Sequence, residues 1–144
     1  MEDFDFILGP LKLKIDGYHF PDTTDYWDAN WLLVTAEIDS PGQAWVRATG
    51  PLIMTAELGR FRDETKRMYE KLDGQAELKT LEPELKITLS YKNSGAIIAE
   101  IELTPDHMTQ DHRFIVGLDQ SYLPQIISQI ASILERFPVR YQPE

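Results

Sequence analysis

His107 and His112 stand five apart in a polar loop with Asp106 and Asp111, residue types that could ligate a divalent metal. A metal there would need a rigid loop and a third ligand from elsewhere, whereas the same residues serve readily as the polar side chains of a solvated turn. The turn is the favoured reading. Glu100 and Glu102 share one face of an expected strand, but an acidic chain produces such pairs by chance and they do not define acid-base catalysis. The sequence contains no cysteine, which excludes a thiolate nucleophile, a zinc ribbon and a disulfide framework. It also lacks a G-x-S-x-G elbow, a phosphate-cradling G-x-x-x-x-G-K-[ST] loop, a G-x-G-x-x-G fingerprint and an H-E-x-x-H helix. No catalytic residue, cofactor or metal is expected, and the chain reads as a non-enzyme.

Recognition chemistry is better represented. From Tyr18 to Trp31 the chain carries six aromatic rings (Tyr18, His19, Phe20, Tyr26, Trp27 and Trp31) among Asp22, Asp25 and Asp28. The aspartates are three apart rather than two, with no glycine at the bend and no terminal glutamate, so a calcium-binding EF-hand loop is excluded. Asp28 and Asn30 have short polar side chains suited to holding a turn, and Trp31 opens an apolar run, so these three are expected to be structural. Tyr26 and Trp27, ringed by Asp22 and Asp25, have the aromatic-plus-charge mix of an interface anchor, although a packed turn accounts for them equally well. Asp16, on the strand before this segment, is a further candidate for binding a partner.

Elements that would position these residues follow from periodicity. Leu11, Leu13 and Ile15 alternate with Lys12, Lys14 and Asp16, and the run Trp31–Ile38 is apolar on both faces for much of its length, so both are expected strands. Ser40-Pro41-Gly42 supplies a type II turn into a strand near Ala44 to Ala48. Leu85–Tyr91 and Ile97–Leu103 alternate around the turn Asn93-Ser94-Gly95, and a last strand covers Arg113 to Leu118. One helix is expected from Pro51 to about Gly74, with Leu58, Phe61, Met68, Tyr69 and Leu72 as its apolar stripe. A second begins at a Ser121 cap, carries Leu123, Ile126, Ile127, Ile130, Ile133, Leu134 and Phe137, and stops at Pro138. Short turns between consecutive strands predict an α+β fold: a largely antiparallel, strongly curved sheet of about six or seven strands with two packed helices. No internal repeat, low-complexity segment or linker is visible, and residues 1–144 read as a single domain.

Charge narrows the partner. The chain has 24 acidic and 14 basic residues, a net charge of −10, and a pI near 4.7. Nucleic acid binding needs a surplus of Lys and Arg, so a direct nucleic-acid role is excluded. Residues 1–40 hold nine acids and two bases, a net of −7, which is either a solvated face or a surface that steers a basic partner. The acidic start is unlike a secretory signal and no apolar run is long enough to span a bilayer, so a cytoplasmic protein without membrane contact is expected.

At the aromatic segment the sequence resembles the WapI-type immunity proteins of bacterial polymorphic toxin and contact-dependent inhibition systems. The resemblance lies in Leu11-Lys12-Leu13-Lys14-Ile15-Asp16-Gly17-Tyr18-His19-Phe20-Pro21 and Tyr26-Trp27-Asp28-Ala29-Asn30-Trp31-Leu32, where the family pattern is a Tyr or Trp followed by Asp-Ala-Asn-Trp-Leu. The Trp45 strand, the stretch Thr49 to Thr55 and the ending Phe137-Pro138-Val139-Arg140 match more loosely, and the likeness covers nearly the whole chain in order. It implies a protein that binds and neutralises a cognate toxin domain, typically a nuclease acting on tRNA, and does so without catalysis. A nuclease carries basic surface for RNA, so an acidic protein could occupy that surface. Two rival readings are an acidic cytoplasmic secretion chaperone, which would be dimeric and hold an unfolded effector, and a small-molecule-binding α+β domain using the sheet as a cup.

Overall fold

The structure is a computed structural model that describes residues 3–92 and 94–141. Asn93, part of the turn expected between two strands, lies outside the described residues. Strands β1 (Phe6–Leu8), β2 (Leu11–Tyr18), β3 (Trp31–Ser40) and β4 (Ala44–Met54) pair in sequential order as one antiparallel sheet. A one-turn helix α1 (Tyr26–Ala29) sits between β2 and β3, and the long helix α2 (Thr55–Lys71) follows β4. Strands β5 (Gln75–Lys79), β6 (Leu85–Tyr91), β7 (Ile97–Leu103) and β8 (Arg113–Leu118) form a second antiparallel sheet, again in sequential order, and α3 (Leu123–Arg136) follows it.

The fold class is therefore α+β, but the expected single curved sheet of six or seven strands is replaced by two sheets of four. The physical reason is α2: its 17 residues carry the chain away from β4, and β5 opens a new ladder with β6. Two strands escaped sequence reading because β1 has only three residues and β5 carries only Ala76 and Leu78 as buried apolar positions. The result is a repeat of topology, four strands and a helix twice over, that leaves no trace as a repeat of sequence.

Alternation sets the core. Leu11, Leu13 and Ile15 of β2, Leu32, Val34, Ala36 and Ile38 of β3, and Ile87, Leu89, Ile97, Ala99 and Ile101 of the second sheet are all buried, and with Phe61, Met68, Ile126, Ile130 and Ile133 they form one continuous apolar cluster. The Ser40 to Gln43 turn has Gly42 at φ 78° and a Gln43 N–H to Ser40 carbonyl bond of 2.9 Å, the left-handed second corner that a type II turn requires.

Both helix starts differ from expectation. Pro51 lies inside β4, opposite Leu33, where Leu52 forms a bulge; β4 is an edge strand, so the missing proline N–H need cost no ladder bond. The helix begins at Thr55, with Glu57 in its first turn accepting the Met54 N–H at 2.7 Å and the Leu81 N–H at 2.9 Å. Burial raises the Glu57 pKa, and these two bonds partly offset the shift. Leu72, at φ 53°, ends the helix two residues before Gly74, and both Tyr69 and Leu72 are exposed instead of joining the stripe. At the other helix, α3 starts from Tyr122 with no side-chain cap rather than from Ser121, and Asp119 caps the preceding 3-10 turn by accepting the Ser121 N–H at 2.8 Å.

Each helix covers the first strand of the other half. The Glu64 carboxylate on α2 accepts the Glu77 N–H of β5 at 2.9 Å, and the Gln129 amide on α3 bonds both the N–H (2.9 Å) and the carbonyl (3.2 Å) of Ile7 in β1.

Candidate functional site

The connection from β2 to β3 spans residues 19–30, whereas the corresponding connection from β6 to β7 spans only 92–96. The aromatic segment is thus an elaboration of the first half. Asp25 caps α1: its backbone is extended, and its carboxylate accepts the Asp28 N–H at 3.2 Å. This single turn places the Tyr26 and Trp27 rings edge to face at 5.1 Å, with Tyr26 half-buried and Trp27 61% exposed. Asp22, Asp25 and Asp28 are exposed on the same loop.

Beneath the loop lies a clamp made with the C-terminal segment. Asn30 is completely buried and uses its whole amide: Nδ2 donates to the carbonyls of Tyr26 and Arg140, both at 2.7 Å, while Oδ1 accepts the Arg140 N–H at 2.7 Å and the Thr55 hydroxyl at 3.1 Å. Arg140 donates its guanidinium to the carbonyls of Ala29, Pro21 and Phe20, each at 3.1 Å. The same guanidinium lies 3.6 Å from the centre of the Tyr18 ring, a cation–π stack. Tyr18 donates its hydroxyl to the Pro138 carbonyl and meets the Phe137 ring edge-on at 5.6 Å. Burial raises the Tyr18 pKa above its ordinary value, and the Arg140 charge opposes that rise.

The electrostatic consequence is specific. Arg140 spends the donors just described on backbone carbonyls, and none of the carboxylates of Asp22, Asp25 and Asp28 forms a salt bridge among the described residues. The loop is held firmly from below, yet its negative charge is left available above.

Asp16 belongs to a different environment. It projects from the outer face of β2 at a bulge and accepts the Thr35 hydroxyl at 2.9 Å, and Thr35 in turn accepts from Thr49 at 3.2 Å. Other acids of the first forty residues are spread further. Asp5 is engaged by Arg136 at 2.6 Å and by the Ile15 N–H, and Glu37 accepts from Trp45 Nε1 at 2.7 Å. Asp39 lies eight residues along β3 from Trp31, about 27 Å at the usual strand rise. The net of −7 is therefore not one patch, and the α1 loop is where its unpaired carboxylates gather with aromatic rings.

At the histidine loop, Asp106 accepts the Thr109 hydroxyl at 2.8 Å and the Met108 N–H at 3.1 Å, which holds its carboxyl below the usual range. A solvent-open cleft of about 460 Å³ runs beside this loop, lined by Lys79, Lys86, Glu102, His107, Gln110 and Asp111. Among the described residues no three His, Asp or Glu side chains are grouped to hold a metal. No helix among them is long and apolar enough to cross a membrane.

Arg140 and Tyr18 were not selected as site residues from the sequence. Arg140 reaches the aromatic loop from about 120 residues away, and Tyr18, the first ring of that segment, meets Pro138 and Arg140 across the same separation; the ending Phe137-Pro138-Val139-Arg140 is a signal through family likeness rather than local pattern.

Fold and site together are a two-sheet α+β architecture with an aromatic loop pinned by the C-terminal segment and carboxylates that form no salt bridge among the described residues. The chain belongs to the immunity protein WapI-like family, whose model matches residues 6–138, and an immunity function comes with that membership. No curated protein matches the sequence. Among solved structures, the crystal structure of WHY1 from Arabidopsis thaliana is similar at 11% identity, over 94% of this chain and 88% of that one, with a TM-score of 0.47. That likeness is too distant to carry function across.

Proposed function

We propose that this protein neutralises a cognate toxin domain, a basic nuclease, by binding it through the α1 loop inside the producing cell. The observation that carries the reading is the loop's combination of an exposed Trp27 with Asp22 and Asp25, none of them ion-paired among the described residues, on a base fixed by Asn30 and Arg140. A rigid aromatic anchor loses little conformational freedom on binding, which is why such residues concentrate binding energy. The carboxylates occupy the role that phosphates play for a nuclease, attracting its cationic groove from a distance. Asp16, engaged by Thr35, contributes at the rim.

The test is association of the purified protein with the toxin domain encoded beside it. The on-rate should fall steeply as salt rises, because exposed charges more than about 10 Å apart are screened at 0.1 M ionic strength. The triple change of Asp22, Asp25 and Trp27 to Ala should weaken binding at least about tenfold, the scale of one lost hot spot, while the protein stays folded, the loss of the Asp25 cap costing about 0.5 to 2 kcal/mol of stability. Unchanged affinity in the triple variant would move the interface off this loop.

A further inference from the structure

The two sheets have four edges, and their exposure is unequal. The β1 edge is bonded by Gln129 and the β5 edge by Glu64. The β4 edge carries Pro51 and the Leu52 bulge, and residues 47–52 share a cleft with Glu82, Glu84 and Pro105. All three show devices that keep an edge from accepting another strand. β8 shows none of these devices: Arg113–Leu118 has no proline and no bulge, and it ends the strand order of its sheet.

Its free backbone groups can be named. Leu103 donates its N–H to the His112 carbonyl at 3.2 Å, which fixes the phase of the β7–β8 ladder. With Ile101 opposite Phe114 and Ala99 opposite Val116, the residues bonded inward are Phe114, Val116 and Leu118. Arg113, Ile115 and Gly117 therefore turn their N–H and C=O groups outward, and among the described residues no other backbone group bonds them. Ile115 is 65% exposed, an apolar side chain standing beside an unpaired edge.

Charge selects the occupant. Residues 97–119 contain Glu100, Glu102, Asp106, Asp111 and Asp119 against Arg113 alone, a net of −4 with the histidines neutral. A second copy of this chain pairing β8 to β8 would bring two such segments together, and like charges across an interface are unfavourable. A segment of opposite charge meets no such barrier.

We propose that β8 is a second contact with the toxin, pairing its Arg113–Gly117 edge with an extended, lysine- or arginine-bearing segment of that partner. The inference rests on the reading of this chain as a toxin-binding protein. Main-chain bonds to Ile115 and Gly117 would supply affinity and the surrounding carboxylates would select cationic flanks.

Ile115→Pro removes an outward N–H while leaving the inward ladder bonds of Phe114 and Val116 intact, so it tests the edge rather than the fold. Against the neighbouring toxin domain, Ile115→Pro should bind at least about tenfold more weakly, from the lost bond and the ring that blocks strand approach, whereas Ile115→Ala should keep most of the affinity. If Ile115→Pro does not fold, amide hydrogen exchange of the unaltered protein decides. The Ile115 and Gly117 amides should exchange freely alone and become protected in the complex. Tight binding by a folded Ile115→Pro variant, or unprotected amides in the complex, overturns the edge proposal while leaving the immunity reading standing. Failure of the unaltered protein to bind the toxin overturns both. A concentration-dependent dimer of the free protein that Ile115→Pro abolishes assigns the edge to self-association and also overturns the proposal.

Discussion

The side-chain amide of Gln129 bonds both backbone groups of Ile7, accepting the N–H at 2.9 Å and donating to the carbonyl at 3.2 Å. One side chain on α3 thus stands where the next strand of the first sheet would be. Gln129→Ala should cost about 1 to 3 kcal/mol, the range for losing two ordinary hydrogen bonds, and should leave a pairing edge at β1. Urea unfolding measures the first effect and light scattering the second. A variant with unchanged stability that stays monomeric at high concentration would mean that the Gln129 bonds do not matter to the edge.

Asn30 should prove more costly to alter. Its removal leaves the Arg140 N–H and the carbonyls of Tyr26 and Arg140 without that partner around a fully buried side chain. Asn30→Ala should destabilise the fold by about 3 kcal/mol or more, since each orphaned buried group costs about 1 to 3 kcal/mol. Because the same bonds hold the floor of the α1 loop, toxin affinity should fall as well. Unchanged stability in Asn30→Ala would show that these bonds do not hold the floor of the loop.

The contrast between these two residues shows where sequence reading stops. Leu85–Tyr91, Ile97–Leu103 and Arg113–Leu118 were legible because alternation is local, and α3 because its apolar stripe is uninterrupted. The split into two sheets was not, because which strands pair is decided by long-range closure that no periodicity records. Pro51 misled for a related reason: a proline suits a helix start and an edge strand equally, and only the register of β4 distinguishes them. At the site, the residue types of the aromatic segment were conspicuous, yet nothing local shows that Arg140 reaches back under it or that Glu37 is taken by Trp45.

Leu72 offers a stabilising change. It holds a left-handed conformation at the end of α2 with φ 53° while its side chain is mostly in solvent, so it bears backbone strain with little burial in return. Leu72→Gly should raise stability by about 0.5 to 1 kcal/mol, because glycine adopts this conformation without a clash at Cβ. The urea midpoint should shift upward with the slope unchanged. A lower midpoint would show that the exposed leucine packs more productively than its surroundings suggest.

Tyr18 gives a pH dependence whose sign is fixed by its environment. Its hydroxyl donates to the Pro138 carbonyl, and burial raises its pKa above 10.0 despite the opposing Arg140 charge. A group whose folded pKa exceeds its unfolded value contributes stability that is complete below the unfolded value and disappears as pH rises through the folded one. The neutral phenol is thus the form the fold prefers, and the contribution should be constant at neutral pH and decline above about pH 10. Tyr18→Phe keeps the ring stacked on Arg140 and Phe137 but has no proton to lose. The stability difference between the two proteins, measured by urea unfolding from about pH 7 to 11, cancels the titration of the tyrosines and lysines they share. It should favour the unaltered protein near pH 7 and shrink above pH 10. A difference that stays flat or grows through that range would contradict the burial of the phenol as the source of its raised pKa.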